Sequence, residues 1–111
     1  MPEPTESLTF LTTIAALASR LAADRMDLYS VSYHSPGFGS WQLEVGRRTQ
    51  RVLVSWDGKD RHLRISTAKV PSGTTARDWQ LAEEHDFRKR RIDIVQLLGT
   101  AEAAIVAHAG A

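Results

Sequence analysis

The stretch Ser40–Thr67, SWQLEVGRRTQRVLVSWDGKDRHLRIST, decides the fold. Trp41, Leu43 and Val45 alternate with Gln42 and Glu44. Val52, Val54 and Trp56 alternate with Leu53 and Ser55, and Leu63, Ile65 and Thr67 alternate with Arg64 and Ser66. Successive side chains of a strand point to opposite faces, so each run reads as a strand with one buried face. The connections Gly46–Gln50 (GRRTQ) and Asp57–Asp60 (DGKD) are short and turn-rich. Sequential antiparallel pairing is therefore the economical arrangement.

Toward the N-terminus, Tyr29, Val31 and Tyr33 alternate with Ser30, Ser32 and His34, and HSPGFGS (His34–Ser40) supplies one more turn. The buried faces must line up, because a one-residue slip exposes all of them. Pairing Tyr33 with Trp41, Trp41 with Trp56 and Trp56 with Leu63 satisfies all three turns. The same register yields a second row, Val31–Leu43–Val54–Ile65, and a third, Tyr29–Val45–Val52–Thr67. Four strands are expected, at about 28–34, 40–46, 51–57 and 61–69.

Helical patterns flank the strands. Phe10, Ile14, Leu17 and Leu21 recur at helical spacing, with Leu8, Leu11 and Ala18 widening the stripe and Thr5 or Ser7 available as N-cap. This predicts a helix over about 6–24 behind a flexible lead-in at residues 1–5. After the loop PSGTT, Thr75 and Asp78 resemble a capping pair, and Ile92, Val95, Leu98, Ala101 and Ile105 form a core stripe. Between them EEHDFRKRR (Glu83–Arg91) has only Phe87 as an apolar residue. A new helix near Asp86 would set four cations against its own dipole. A continuous helix gains Glu84–Arg88, Asp86–Arg90 and Lys89–Asp93 pairs at i,i+4. We favour one helical region over about 76–108, with a kink allowed and Gly99 marking a close crossing or a break. The expected fold is α+β: a four-stranded antiparallel meander with both helices on one face, forming a single domain over residues 1–111.

Composition excludes several functions. With 111 residues, 42% of them hydrophobic and 24% charged, the chain can bury a core without staples. The absence of cysteine removes disulfides, thiolate nucleophiles and Cys-ligated zinc, and suits a reducing compartment. The absence of asparagine removes N-glycosylation. Leu8–Ala23 is apolar, but Glu3 and Glu6 precede it where a secretory signal needs Lys or Arg. The run is also too short and too interrupted to span a bilayer, so a cytoplasmic location is expected.

Motifs with chemistry are weak. The register places His34, Ser40, Asp57 and His62 side by side on the far face, the residue types of a Ser/His/Asp hydrolase. Turn and surface chemistry explains them better. An Asp in a DG turn bonds its own backbone, and an open sheet face offers no oxyanion hole. No spacing points to a metal or cofactor; GFG (Gly37–Gly39) lacks the remainder of a phosphate-binding motif. Arg47, Arg48 and the run Arg88, Lys89, Arg90, Arg91 form local basic clusters that suit nucleic acid. Glu83, Glu84 and Asp86 offset the run, however, and the net charge is only +1. Phe38 at a loop tip and Trp79 outside the sheet are the aromatics placed to meet a partner. The leading expectation is a non-enzymatic protein-interaction or regulatory module, able to homodimerise through an edge strand or the C-terminal helix. Nucleic-acid binding is the second reading and hydrolysis the third.

Overall fold

The computed structural model describes residues 4–34, 39–70 and 78–109, residues 4–7 by backbone alone. The order is α1 (Pro4–Ala23), β1 (Asp27–His34), β2 (Ser40–Arg47), β3 (Gln50–Asp57), β4 (His62–Lys69), β5 (Gln80–Asp86) and α2 (Ile94–Ala109).

α1 ends in a Schellman turn. The Met26 amide donates to the Leu21 carbonyl at 2.9 Å and the Arg25 amide to Ala22 at 3.0 Å. Arg25 takes the left-handed conformation this needs, at φ 62°. Leu21 and Met26 are both buried, the apolar contact that accompanies such a cap. The chain therefore reverses sharply from α1 into β1.

Among the described residues the sheet has five strands in the order β1-β2-β3-β4-β5, all antiparallel. Two of the expected rows form as drawn, Tyr33–Trp41–Trp56–Leu63 and Val31–Leu43–Val54–Ile65. The third row differs at one end. Leu28 pairs with Val45 and Ser30 with Glu44, so Tyr29 is the extra residue of a β-bulge. The Arg51 guanidinium lies over the Tyr29 ring, 4.0 Å from its centroid. Arg51 reaches it past Gly46, where a Cβ would come within 2.2 Å of the Gln50 carbonyl oxygen and 2.8 Å of Arg51 Cδ.

The larger correction lies after Val70. The expected fourth strand is followed by a fifth, and the helical region expected over 76–108 is helical only from Ile94. β5 pairs along β4 from Thr67–Gln80 to His62–Asp86. A helix through Glu83–Arg91 has no apolar face to bury, and propensity alone rarely holds a helix. The open edge of β4 instead offers backbone partners to every second residue. The expected i,i+4 pairs give way to a cross-strand contact, Arg64 Nε to Glu84 Oε1 at 3.3 Å, and to Arg88 bound back to Asp86.

α2 starts at a capping box. The Gln96 amide donates to Asp93 Oδ1 at 2.8 Å while the Asp93 amide donates to Gln96 Oε1 at 3.0 Å. Ile92 and Leu97 flank the box as a hydrophobic staple. Thr75, the cap expected for the longer helix, lies outside the described residues.

Both helices pack on one sheet face, α1 against β1 and α2 across β2, β3 and β4. Phe10 of α1 stacks near Tyr33 and Trp41, with ring centroids 4.7 and 5.6 Å away. Trp56 meets Phe87 at 6.1 Å beyond the end of β5. The helices are joined by Arg20, whose Nε and Nη2 each donate to the Glu102 carboxylate at 2.8 Å. Gly99 marks neither a close crossing nor a break: α2 runs through it, and an added Cβ would meet nothing within 4 Å.

Gly99→Ala should therefore raise stability by about 0.5–1 kcal/mol, whereas Trp56→Ala should lower it by about 3–5 kcal/mol. Urea unfolding measures both; a destabilised Gly99→Ala protein would mean that something packs against this position.

Candidate functional site

The face of the sheet opposite the helices is open. At the end formed by the β3–β4 turn it curves into a shallow concavity of about 620 Å³ lined by His34, Ser40, Asp57 and His62, with Ser32 and Arg64 alongside. The fold thus brings together all four residues of the Ser/His/Asp reading. Their bonds are those of a turn. Ser40 Oγ accepts the Gly58 amide at 3.0 Å, and Asp57 Oδ1 accepts the amides of Lys59 and Asp60 at 3.0 and 3.2 Å. His62 Nε2 lies 3.9 Å from Glu84 Oε1. Among the described residues no hydrogen bond joins Ser40 to His34 or His62. The concavity can present hydroxyls and imidazoles to a polar molecule.

The basic residues divide between the two ends of the sheet. Arg47 and Arg48 sit at the β2–β3 turn, where an Arg47 Nη2 donates to the Asp24 carbonyl and Arg48 adopts φ 56°. Arg88, Lys89, Arg90 and Arg91 occupy the turn between β5 and α2, at the β3–β4 end. Strands of this length hold the two groups about 25 Å apart. Within the second group Arg88 grips both oxygens of Asp86, and Arg90 lies over the Phe87 ring at 5.5 Å. Arg61 also braces this turn, donating to the carbonyls of Phe87 and Arg90 at 3.1 and 2.9 Å. Trp79 is half-buried just before β5, and Phe38 lies outside the described residues.

One titratable cluster escaped the sequence because His108 lies far along the chain from Glu83 and His85. Glu83 on β5 bridges His108 of α2 at 2.6 Å and His85 at 3.0 Å. The hydrogen bond from His85, then that from His108, holds the Glu83 carboxyl below its ordinary value of 4.5. Asp86 is lowered further, from 3.8 to about 2, by the Arg88 side chain and then the Arg88 amide. Among the described residues no group of three or more His, Cys, Asp or Glu is placed to hold a metal ion, and no helix is long and apolar enough to cross a membrane.

The two edges of the sheet differ in kind. β5 carries Glu83, Glu84 and Asp86, charges that discourage further strand pairing. β1 carries no formal charge from Leu28 to Tyr33 and is exposed along nearly its whole length. Leu28 is 39% exposed and Val31 37%. On α1 beside them, Leu8 is 64% and Leu11 55% exposed. The rotation of α1 is fixed by Phe10, Ile14, Leu17 and Leu21 against the sheet and by Arg20 against α2. At about 100° per residue, Leu11, Ala15, Ala18 and Ala22 then fall on the flank away from α2, with Leu8 beside them. Among the described residues, the exposed β1 edge and the apolar flank of α1 adjoin. The excess width of the α1 stripe was its only sequence signal. Compared with known proteins, the chain matches no protein-family model, no curated protein and no solved structure.

The pH dependence has a definite sign. A carboxyl whose folded value is depressed stabilises the fold above its unfolded value, and that contribution disappears as pH falls through the folded value. For Glu83 the loss falls below pH 4.5, so Glu83→Gln should remove part of the acid sensitivity of unfolding that the wild type shows there. Thermal melts from neutral pH downward check this; identical acid limbs in the two proteins would contradict it.

Proposed function

We propose that the chain is a small non-enzymatic protein-interaction module whose contact surface is the β1 edge together with the outer flank of α1. The observation that carries this is the asymmetry of the edges: β5 is guarded by three carboxylates, while β1 carries no charge from Leu28 to Tyr33 and adjoins exposed leucines. A monomer whose edges both faced water would gain from charge on each of them. The partner that fits is a strand-forming polypeptide segment. Its backbone would pair with the outer row of β1, and its alternate apolar side chains would lie against Val31 and the α1 flank. A cytoplasmic setting suits a chain without cysteine.

The competing readings draw less support. Nucleic-acid binding through Arg47, Arg48 and Arg88–Arg91 would need two separated clusters whose guanidinium groups are partly spent on carbonyls and Asp86. Hydrolysis at Ser40 would need a base, and among the described residues no hydrogen bond joins the hydroxyl to His34 or His62.

Extended peptides with alternating apolar residues, displayed as an array, test the reading. They should bind the wild type and bind Val31→Lys at least about tenfold more weakly, while Leu81→Lys on β5 retains binding. No binding, or binding indifferent to Val31→Lys, would overturn it.

A further inference from the structure

We infer that the strand received at this edge is the β1 of a second copy of the chain, giving a twofold dimer with one continuous ten-stranded sheet. The inference rests on the interaction surface assigned above and names its occupant.

Self-pairing fits the sequence of the edge. The bulge at Tyr29 bends the start of β1 and leaves Ser30–His34 as a regular segment. A twofold axis through Ser32 sets this segment antiparallel to itself. Ser32 then faces Ser32, Ser30 faces His34, and Val31 faces Tyr33. Each apolar residue meets an apolar one on the helix side, and each polar residue meets a polar one on the far side. No like charges meet, because Leu28–Tyr33 carries none. The same operation at β5 would crowd the carboxylates Glu83, Glu84 and Asp86 of both copies into one seam.

The helices fit as well. Phe10 touches both Tyr33 of β1 and Trp41 of β2, so α1 lies over the seam between these strands. Neighbouring strands lie about 4.8 Å apart, which places that seam about 5 Å from the axis. The two α1 helices would then run antiparallel at about 10 Å, within the range of helix packing. Leu11, Ala15, Ala18 and Ala22 would face their copies, and small residues permit that approach. Covering Leu8, Leu11, Leu28, Val31 and the strand edge on both copies removes roughly 1,000 Å² from water, the scale of a reversible rather than a permanent dimer. A C2 interface closes on itself, so pairing stops at two chains.

Sedimentation equilibrium across a range of subunit concentrations tests this on the full chain. A monomer–dimer equilibrium is expected, weakened about tenfold or more by Val31→Lys and unchanged by Leu81→Lys. The absence of cysteine allows an independent check. Ser32→Cys should form an intermolecular disulfide under mild oxidation, since facing residues of an antiparallel pair lie within disulfide reach. A dimer insensitive to Val31→Lys, together with no cross-link at position 32, would overturn the inference by showing that another surface is used. A strict monomer that still binds the extended peptides at β1 would overturn the inference and leave the interaction reading standing. A strict monomer that binds none of them would remove both.

Discussion

Everything in this structure depends on the cross-strand row Tyr33–Trp41–Trp56–Leu63. Side chains alternate strictly along a strand, so this row fixes which face of every strand is apolar. It places Phe10 of α1 over the β1–β2 seam and Phe87 against Trp56 at the opposite side of the sheet. The two ends of the chain are thereby drawn onto one face, and Arg20 and Glu102 come within 2.8 Å. The other face is left to solvent, with serine, histidine and charged residues along it.

A helix pair covers less width than five strands provide. α1 and α2 shield the strands from β1 to β4, and the edges are left to manage themselves by different means. β5 turns Glu83 and His85 toward the helix side and ties Glu83 to His108, replacing apolar burial with a polar clasp. Among the described residues, β1 shows a bulge at Tyr29 and no acidic clasp of this kind. Its inner residues stay partly exposed, and the helix above it extends the apolar surface outward. The functional proposal follows from this inequality, not from any catalytic grouping.

The central strands were legible in the sequence because Trp41–Val45, Val52–Trp56 and Leu63–Thr67 alternate cleanly and their turns are short. β5 was not, for a physical reason. Its inward positions are Glu83 and His85, which satisfy one another and His108 where a strand pattern would show apolar residues. Trp79 and Leu81 read as the start of a helical pattern that the i,i+4 charge pairs extended, and a bulge between Leu81 and Glu83 interrupts the period of two. The true start of α2 was written in Asp93 and Gln96, a capping box hidden behind the basic run. The bulge at Tyr29 had no local marker, since it depends on Arg51 reaching past Gly46 from a different strand. Of the candidate site, His34, Ser40, Asp57 and His62 were placed together correctly by register alone. The bonds that Ser40 and Asp57 make to the β3–β4 turn depend on the turn's geometry and were not legible in the register.

A second strand on the outer backbone row of β1 would shield its outward amides from solvent. Amide hydrogen exchange followed against protein concentration reports on that row directly. Ser30–His34 should become more protected as concentration rises, while Gln80–Asp86 on the opposite edge should not change. Exchange in β1 at an unprotected, concentration-independent rate would contradict it.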